Sequence, residues 1–413
     1  MQPEPNIPPE PEHPQDAPAL GAAIVAKTMA GLLISGLLTA LPGAVLPYWR
    51  HYIESRYLLI AVYFLAQIAG LLGARLWAPR LVRTQGLGVA MSVSCWLAAG
   101  GLLVMGVFIP EAHWGWRIGG LLLTGSAAGL MNTVVFAGTT AAYERHPAAM
   151  VSLAGVFYGS GSLVCALAIG SSYFFEQTAA AMAVLLLLLP AAGCVLYVRA
   201  RVPDQRPKVE RHWAESAREF RSPAAILLAL LLFFQFGNEG ALGGWLALYV
   251  TQKIGISPAN SVFLLALYFG ALLVGRILAQ VLLGRVRHGR MLTSSVLMGL
   301  LGSLILAFTD NSFGAVTGVL LCGAAFSTVL PLAFERIGDR FPYFHPAFSS
   351  GIFAIAMTGG LLAPASLGLY AYWFGIDVVM VLPMVGSIMV LLLVLLIFLE
   401  ARRHAAAVKA AQD

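Results

Sequence analysis

The sequence predicts an all-α membrane protein of twelve transmembrane helices in two six-helix bundles, and three observations carry that expectation. Of 413 residues 59% are hydrophobic and only 11% charged, too little charge to cover so much apolar side chain in water. The apolar residues gather into twelve stretches of about 20 residues or more, the length at which a helix crosses roughly 30 Å of hydrocarbon. Runs such as Val184 to Leu189 show no period-two alternation, which removes the membrane β-barrel.

The elements follow in order. Residues 1–18 hold seven prolines with Glu4, Glu10, Glu12 and Asp16, a tail too polar and Pro-rich for a signal peptide and expected to be disordered. The N-terminal bundle is expected over 19–199, with spans at 20–47, 57–77, 86–109, 117–139, 149–173 and 178–199. Residues 200–223 form a basic amphipathic linker. The C-terminal bundle is expected over 224–400, with spans at 224–250, 261–283, 290–309, 313–334, 347–373 and 377–399, before a short tail at 401–413. Lysine and arginine mark the joins. The side holding both termini and the linker carries 19 of them, including Arg75, Arg80, Arg83, Arg145, Arg285, Arg287 and Arg290; the other side carries four, Arg50, Arg56, Arg117 and Lys253. That asymmetry predicts cytoplasmic termini. It also accounts for the net charge of +6 without a nucleic-acid partner. Short loops and the lack of Asn-x-Ser/Thr sequons suit a bacterial inner membrane.

The two halves look like copies. At an offset of 201, Gly36, Ala40, Leu41, Gly43 and Tyr48 meet Gly237, Ala241, Leu242, Gly244 and Tyr249. At 205, Tyr63, Phe64, Gly70 and Arg80 meet Tyr268, Phe269, Gly275 and Arg285. Two nearly equal offsets close to half the chain length mark an internal repeat. A parallel six-plus-six repeat is a transporter architecture with its site between the repeats.

Only one carboxylate, Glu239, falls near the middle of a span, where charge is expensive and therefore functional by default. On a helix, Gln235, Asn238, Glu239, Leu242, Trp245 and Tyr249 share an arc of roughly 120°, which predicts one polar cavity face on span 7. Glu239 is the candidate coupling group, able to take a proton on one side of the membrane and release it on the other. Its alternative is a packing role, bonded to a backbone carbonyl. Trp245 and Tyr249 can stack on a ring and bond hydroxyls, or form an aromatic belt at the outer interface. Asn132 of span 4 offers a polar group from the other half, and Tyr158, Gln67 and Tyr268 are further candidate lining residues. Lys27 snorkels. Arg276, after Gly275, reads as part of an inner gate that pairs with Glu335 or Asp339 beyond span 10.

Other chemistries find no support. None of the four lysines follows a glycine, so there is no phosphate loop. The eight histidines fall in loops or tails, so no nucleophile–base set lies at membrane depth and an enzyme is not expected. Cys95, Cys165, Cys194 and Cys322 lie within spans without metal-ligand spacing. No cofactor or metal is expected, and the partners are a small-molecule solute, the bilayer and protons, with the chain a monomer.

The twelve spans, the central basic loop and the Gly/Arg-rich loops after spans 2 and 8 resemble the major facilitator superfamily. The loop signature is shortened here to Gly73-Ala74-Arg75-Leu76-Trp77-Ala78-Pro79-Arg80, without its usual Asp. Gly237-x-Glu239-x-x-x-Gly243-Gly244-Trp245-x-x-x-Tyr249 is similar to the span-7 motif of the fucose/galactose/glucose:proton symporter-like branch. Phe157 to Ser162 and the glycines from Gly351 to Pro364 also look like that branch. The resemblance implies a secondary active transporter of a small polar solute, sugar-like and proton-coupled. A drug or metabolite exporter of the same fold, a proton antiporter, is the alternative. Fucose-type symporters carry coupling acids in spans 1 and 4; here those spans offer Ser35 and Thr39, and Asn132 and Thr133.

Overall fold

Why these residues make these helices is visible at their ends. In the computed structural model, which describes residues 25–107, 114–145, 147–173, 179–199, 222–283, 288–340 and 346–410, Ser222 caps a helix by accepting the Ala225 N–H at 3.2 Å. Pro223 follows at the first helical position, where its missing N–H is harmless. The acidic tail at 1–18, most of the linker at 200–223 and the last residues of the 401–413 tail lie outside the described residues.

The elements are α1 (Gly31–Val45), α2 (His51–Glu54), α3 (Tyr57–Val107), α4 (Trp114–Arg145), α5 (Pro147–Ser172), α6 (Ala179–Arg199), α7 (Pro223–Tyr249), α8 (Pro258–Leu283), α9 (His288–Phe308), α10 (Ser312–Arg340), α11 (Pro346–Phe374) and α12 (Val378–Ala410). A π turn over Val250–Ile254 ends α7 at Gly255, whose φ of 76° only glycine adopts readily. Spans 2 and 3 run together as α3. Its 51 residues would measure about 75 Å if straight, more than twice a bilayer core, and the chain doubles back at Gly86 with φ 85°. Among the described residues ten helices are long and apolar enough to cross a membrane. Counting α3 as two crossings and adding α6, with its apolar stretch Leu186–Tyr197, accounts for the twelve predicted spans.

The same packing recurs in both halves. In the first, α1 lies against α5 and α3 against α6; in the second, α7 lies against α11 and α9 against α12. The halves meet through α5 with α8, α3 with α11, and α1 with α7. Helices approach closely because glycine lets them: a Cβ on Gly36 would strike the Tyr158 carbonyl, and one on Gly240 the Gly360 carbonyl. Two residues exchanged by a two-fold can touch only near its axis. Gly43 and Gly244, paired by the offset of 201, do touch, a Cβ on Gly43 lying 3.0 Å from the Gly244 Cα. Gln252 and His51 are also 201 apart, and the Gln252 Nε2 donates to the His51 carbonyl at 3.3 Å. The pseudo-two-fold axis passes between these pairs.

We call the end where α6 finishes and α7 begins the linker end. The opposite end is sealed across the halves. Gln252 donates to the Tyr52 carbonyl at 3.1 Å and to Ser55 at 3.3 Å, and accepts from the Tyr57 hydroxyl at 3.1 Å. Beneath it His51 packs edge-on against Trp49 and Tyr63, and Arg117 lies 4.6 Å over the Trp49 ring. Burial first, then the charges of Arg117 and Arg56, pull the His51 pKa down to about 4, so the ring is neutral in this cap.

Candidate functional site

Seen from the cavity, α7 shows glycine rather than its polar residues. A cavity of about 210 Å³ lies between the halves, and α7 contributes Phe236, Glu239, Gly240, Gly243 and Gly244 to its wall. The centre of that face is turned about 140° from the polar arc read from the sequence, and Glu239 lies at the boundary between the two. The polar arc packs against neighbouring helices. Asn238 donates to Ser387 of α12 at 3.4 Å. Trp245 is fully buried, donates its indole N–H to the Pro364 carbonyl at 2.8 Å and stacks on Phe64 at 6.2 Å. Tyr249 is fully buried and donates to the Leu306 carbonyl at 3.1 Å. Amphipathic side chains with one or two polar atoms can be satisfied inside a bundle, whereas glycine leaves room for a cavity. That is why the faces exchange. Gln235, Asn238, Trp245 and Tyr249, expected on the cavity face, are therefore not part of its wall.

Glu239 is not alone, as the sequence had suggested. Its Oε2 lies 3.0 Å from the Arg276 guanidinium, and its Oε1 accepts from Gln235 at 3.1 Å. The two charged side chains are 16% and 7% exposed, so each removes the unpaired burial of the other. Gln235 also donates to the Phe326 carbonyl of α10 at 3.3 Å, which orients the amide and through it the carboxylate. Arg276 spends a second N–H across the seam, donating to the Gly155 carbonyl of α5 at 2.9 Å. The pairing of Arg276 with Glu335 or Asp339 is corrected here. Arg276 projects toward the cavity carboxylate, while Glu335 lies 3.0 Å from the Nδ1 of His288; the side chain of Asp339 lies outside the described residues.

The remaining candidates converge on the cavity. Tyr158, Gln67, Asn132 and Tyr268 all line it. The Tyr158 hydroxyl donates to Thr39 at 2.5 Å, and Thr39 donates to the Ser35 carbonyl at 2.6 Å. Gln67 donates to the Leu38 carbonyl at 2.8 Å. The buried Tyr268 hydroxyl has no protein partner. Sequence reasoning passed over Arg75, which lines the cavity together with Phe64 and Phe269. It also missed the Glu239–Arg276 pair. The signal was present: one carboxylate and one guanidinium lie within consecutive spans, and pairing removes both penalties at once. Among the described residues no cluster suits a metal ion.

The chain matches the model of the Major Facilitator Superfamily over residues 28–364. It is 26% identical over 146 residues to an uncharacterized MFS-type transporter of Yersinia pestis, covering 35% of this chain and 38% of that protein. It is 24% identical over 190 residues to a glucose/galactose transporter of Brucella abortus, covering 45% and 44%. The chain thus spans less than half the length of these curated relatives. The crystal structure of the E. coli fucose:proton symporter superposes with a TM-score of 0.61 at 16% identity, covering 91% of this chain and 99% of that one. At that identity the likeness is one of fold.

Proposed function

The chain belongs to the major facilitator superfamily, a family of membrane transporters rather than enzymes, and we propose that it moves a small neutral sugar by alternating access, driven by protons through Glu239. The observation that carries this reading is the buried carboxylate–guanidinium pair on the wall of a small cavity with polar groups from both halves. The cavity of about 210 Å³ falls below the usual range of roughly 300–1,000 Å³ for ligand sites, a size for a monosaccharide rather than an amphipathic drug. Its neutral polar lining, Thr39, Gln67, Asn132, Tyr158, Ser162 and Tyr268, consists of amides and hydroxyls, the partners that sugar hydroxyls take, beside the charged Arg75, Glu239 and Arg276. A sugar ring also suits the apolar face of Phe64 and Phe269. The glucose/galactose transporter among the relatives supports the same substrate class.

In this reading both termini are cytoplasmic, in a bacterial inner membrane, and the chain works as a monomer. The sealed end is then the outer one. Asn238, Trp245 and Tyr249 act through the fold; Gln235 orients Glu239; Arg276 and Glu335 belong to the cytoplasmic side, where gating takes place. An exporter of amphipathic cations is the rival. Its carboxylate would have to be free to receive the cation, and here Arg276 already occupies it.

The test is thermal stabilisation of the purified protein by glucose, galactose and fucose, set against organic acids and amphipathic cations. We expect stabilisation by a sugar at millimolar concentration or below. Stabilisation by cations alone would overturn the proposal in favour of the exporter. Coupling is tested in proteoliposomes with the stabilising sugar. Glu239→Gln should exchange it but fail to accumulate it under a proton gradient, because rocking needs the bundles and not the charge. Accumulation at the wild-type level would remove Glu239 from the coupling role.

A further inference from the structure

We propose that Arg276 is a latch across the linker-end seam of the cavity, seated in a glycine notch on α5 and held there most firmly while Glu239 is ionised. The inference rests on the reading of Glu239 as the proton site. Its geometric part stands on three observations.

First, the guanidinium bridges the halves. One nitrogen bonds the Glu239 carboxylate of its own half at 3.0 Å, and another bonds the Gly155 carbonyl of the other half at 2.9 Å. Second, the seat is shaped for it. A Cβ on Gly155 would lie 3.1 Å from the Arg276 Cδ, 3.2 Å from Nε and 3.4 Å from Cζ, and one on Gly159 would lie 3.6 Å from a terminal nitrogen. Two glycines one turn apart leave bare backbone where the planar group lies flat on α5. Third, the contact is placed as a gate. Gly155 is eight residues from the linker-end start of α5, and Arg276 seven from the linker-end finish of α8. Both therefore lie about 10–12 Å inside that end. One turn closer to it, Val151 of α5 belongs to a buried apolar cluster otherwise built from the second half and also lines the cavity, so the halves stay in contact on the linker side of the latch.

The bonding of the latch is lopsided. Nε of Arg276 is buried without a partner, and a single neutral carbonyl is what ties the cation to α5. Of the titratable side chains around the pair, Tyr158 comes from α5 and Tyr268 from α8, with Cys322 of α10 beside Tyr268 and Arg75 of α3 on the cavity wall. The tyrosines and the cysteine are neutral at working pH, so Glu239 is the counter-ion of Arg276. A proton taken from cavity water by Glu239 leaves the guanidinium charged and uncompensated in a low dielectric. The guanidinium then turns to water at the linker end, the Gly155 bond breaks, and α5 and α8 part. Loss of the proton restores the latch.

The test is a distance measured by spin labels at Gln85→Cys on α3 and Arg290→Cys on α9, both exposed near the linker end, in the full chain reconstituted in lipid. In otherwise wild-type protein the distance should lengthen as the pH falls. Gly155→Leu, which fills the notch while leaving both charges in place, should give the long distance at every pH. Arg276→Lys, a milder change that keeps the charge but replaces the planar guanidinium, whose two terminal nitrogens reach the two partners separately, by a single compact ammonium, should lose most of the pH response. A wild-type pH response in a folded Gly155→Leu, or in Arg276→Lys if the leucine variant does not fold, overturns the latch. If those variants behave as expected but Glu239→Gln still responds to pH as wild type does, the latch stands and control by Glu239 falls, together with the proton-site reading.

Discussion

The two halves of this molecule share their helix packing and differ in their charge. The offsets that superpose the repeats carry Glu239 onto Leu38 and Arg276 onto Leu71, and both leucines are fully buried. Where the second half places an ion pair against the cavity, the first half has apolar packing, with Gln67 bonding the Leu38 carbonyl. The backbone arrangement around both positions is the same: glycines on α1 and α7 let α5 and α11 close in. The difference teaches that the scaffold does not need the pair. A buried pair adds little to stability over a well-packed apolar substitute, so one confined to a single copy of a repeat points to work rather than folding.

The comparison can be broken most directly by removing one partner. Arg276→Leu strands a buried carboxylate and should destabilise by about 3–5 kcal/mol, read as a fall in thermal unfolding midpoint. The double change Glu239→Leu with Arg276→Leu makes the second half resemble the first. It should unfold near the wild-type temperature while accumulation of sugar is lost. A double variant as unstable as the single one would mean that the halves are not equivalent scaffolds.

Trp245 sharpens the contrast between packing and cavity faces of α7. Trp245→Ala should cost about 3–5 kcal/mol of stability, as truncation of a buried aromatic does. Sugar affinity in the protein that remains folded should stay within a few-fold of wild type. A large loss of affinity, measured on folded protein, would return Trp245 to the binding site.

The sealed end offers a pH test. His51 has a lowered folded-state pKa, so the neutral ring is favoured by folding. That stability is complete above the ordinary value of 6.5 and is lost as the pH falls toward about 4. The full loss corresponds to about 3 kcal/mol. Unfolding midpoints of wild type should fall over this range, and His51→Phe should flatten that part of the profile. An unchanged slope would remove His51 from the cap's response to acid. The smallest effect is expected at Tyr268, whose hydroxyl has no protein partner. Tyr268→Phe should leave stability near wild type and weaken sugar binding about tenfold, the loss of one hydrogen bond of roughly 1.4 kcal/mol. Unchanged affinity would exclude that hydroxyl from the sugar's contacts.

Much of this was legible in the sequence. Twelve apolar stretches, two nearly equal repeat offsets near half the chain and one mid-span carboxylate predicted the helices, the internal symmetry and Glu239. The cavity residues Asn132, Tyr158, Gln67 and Tyr268 were legible as well, because polar groups at membrane depth are rare enough to stand out. What the sequence misjudged was the direction of α7. The hydrophobic periodicity that orients a helix in water is weak in a membrane, where lipid, bundle interior and much of the cavity wall are all apolar. The arc holding Asn238, Trp245 and Tyr249 looked like a cavity face and proved to be a packing face.

The sequence by itself determined the class of the protein, the number and length of its spans, the repeat and the depth of its buried charge, because crossing hydrocarbon dictates length and hydrophobicity residue by residue. Only the tertiary structure decided which side of α7 meets the cavity, that Arg276 rather than a backbone carbonyl answers Glu239, and that Gly155 of the other half completes the contact. Those relations join residues 37 and 121 positions apart through side chains a few ångströms long. They exist because tilted helices bring together positions that no period along a single chain can relate.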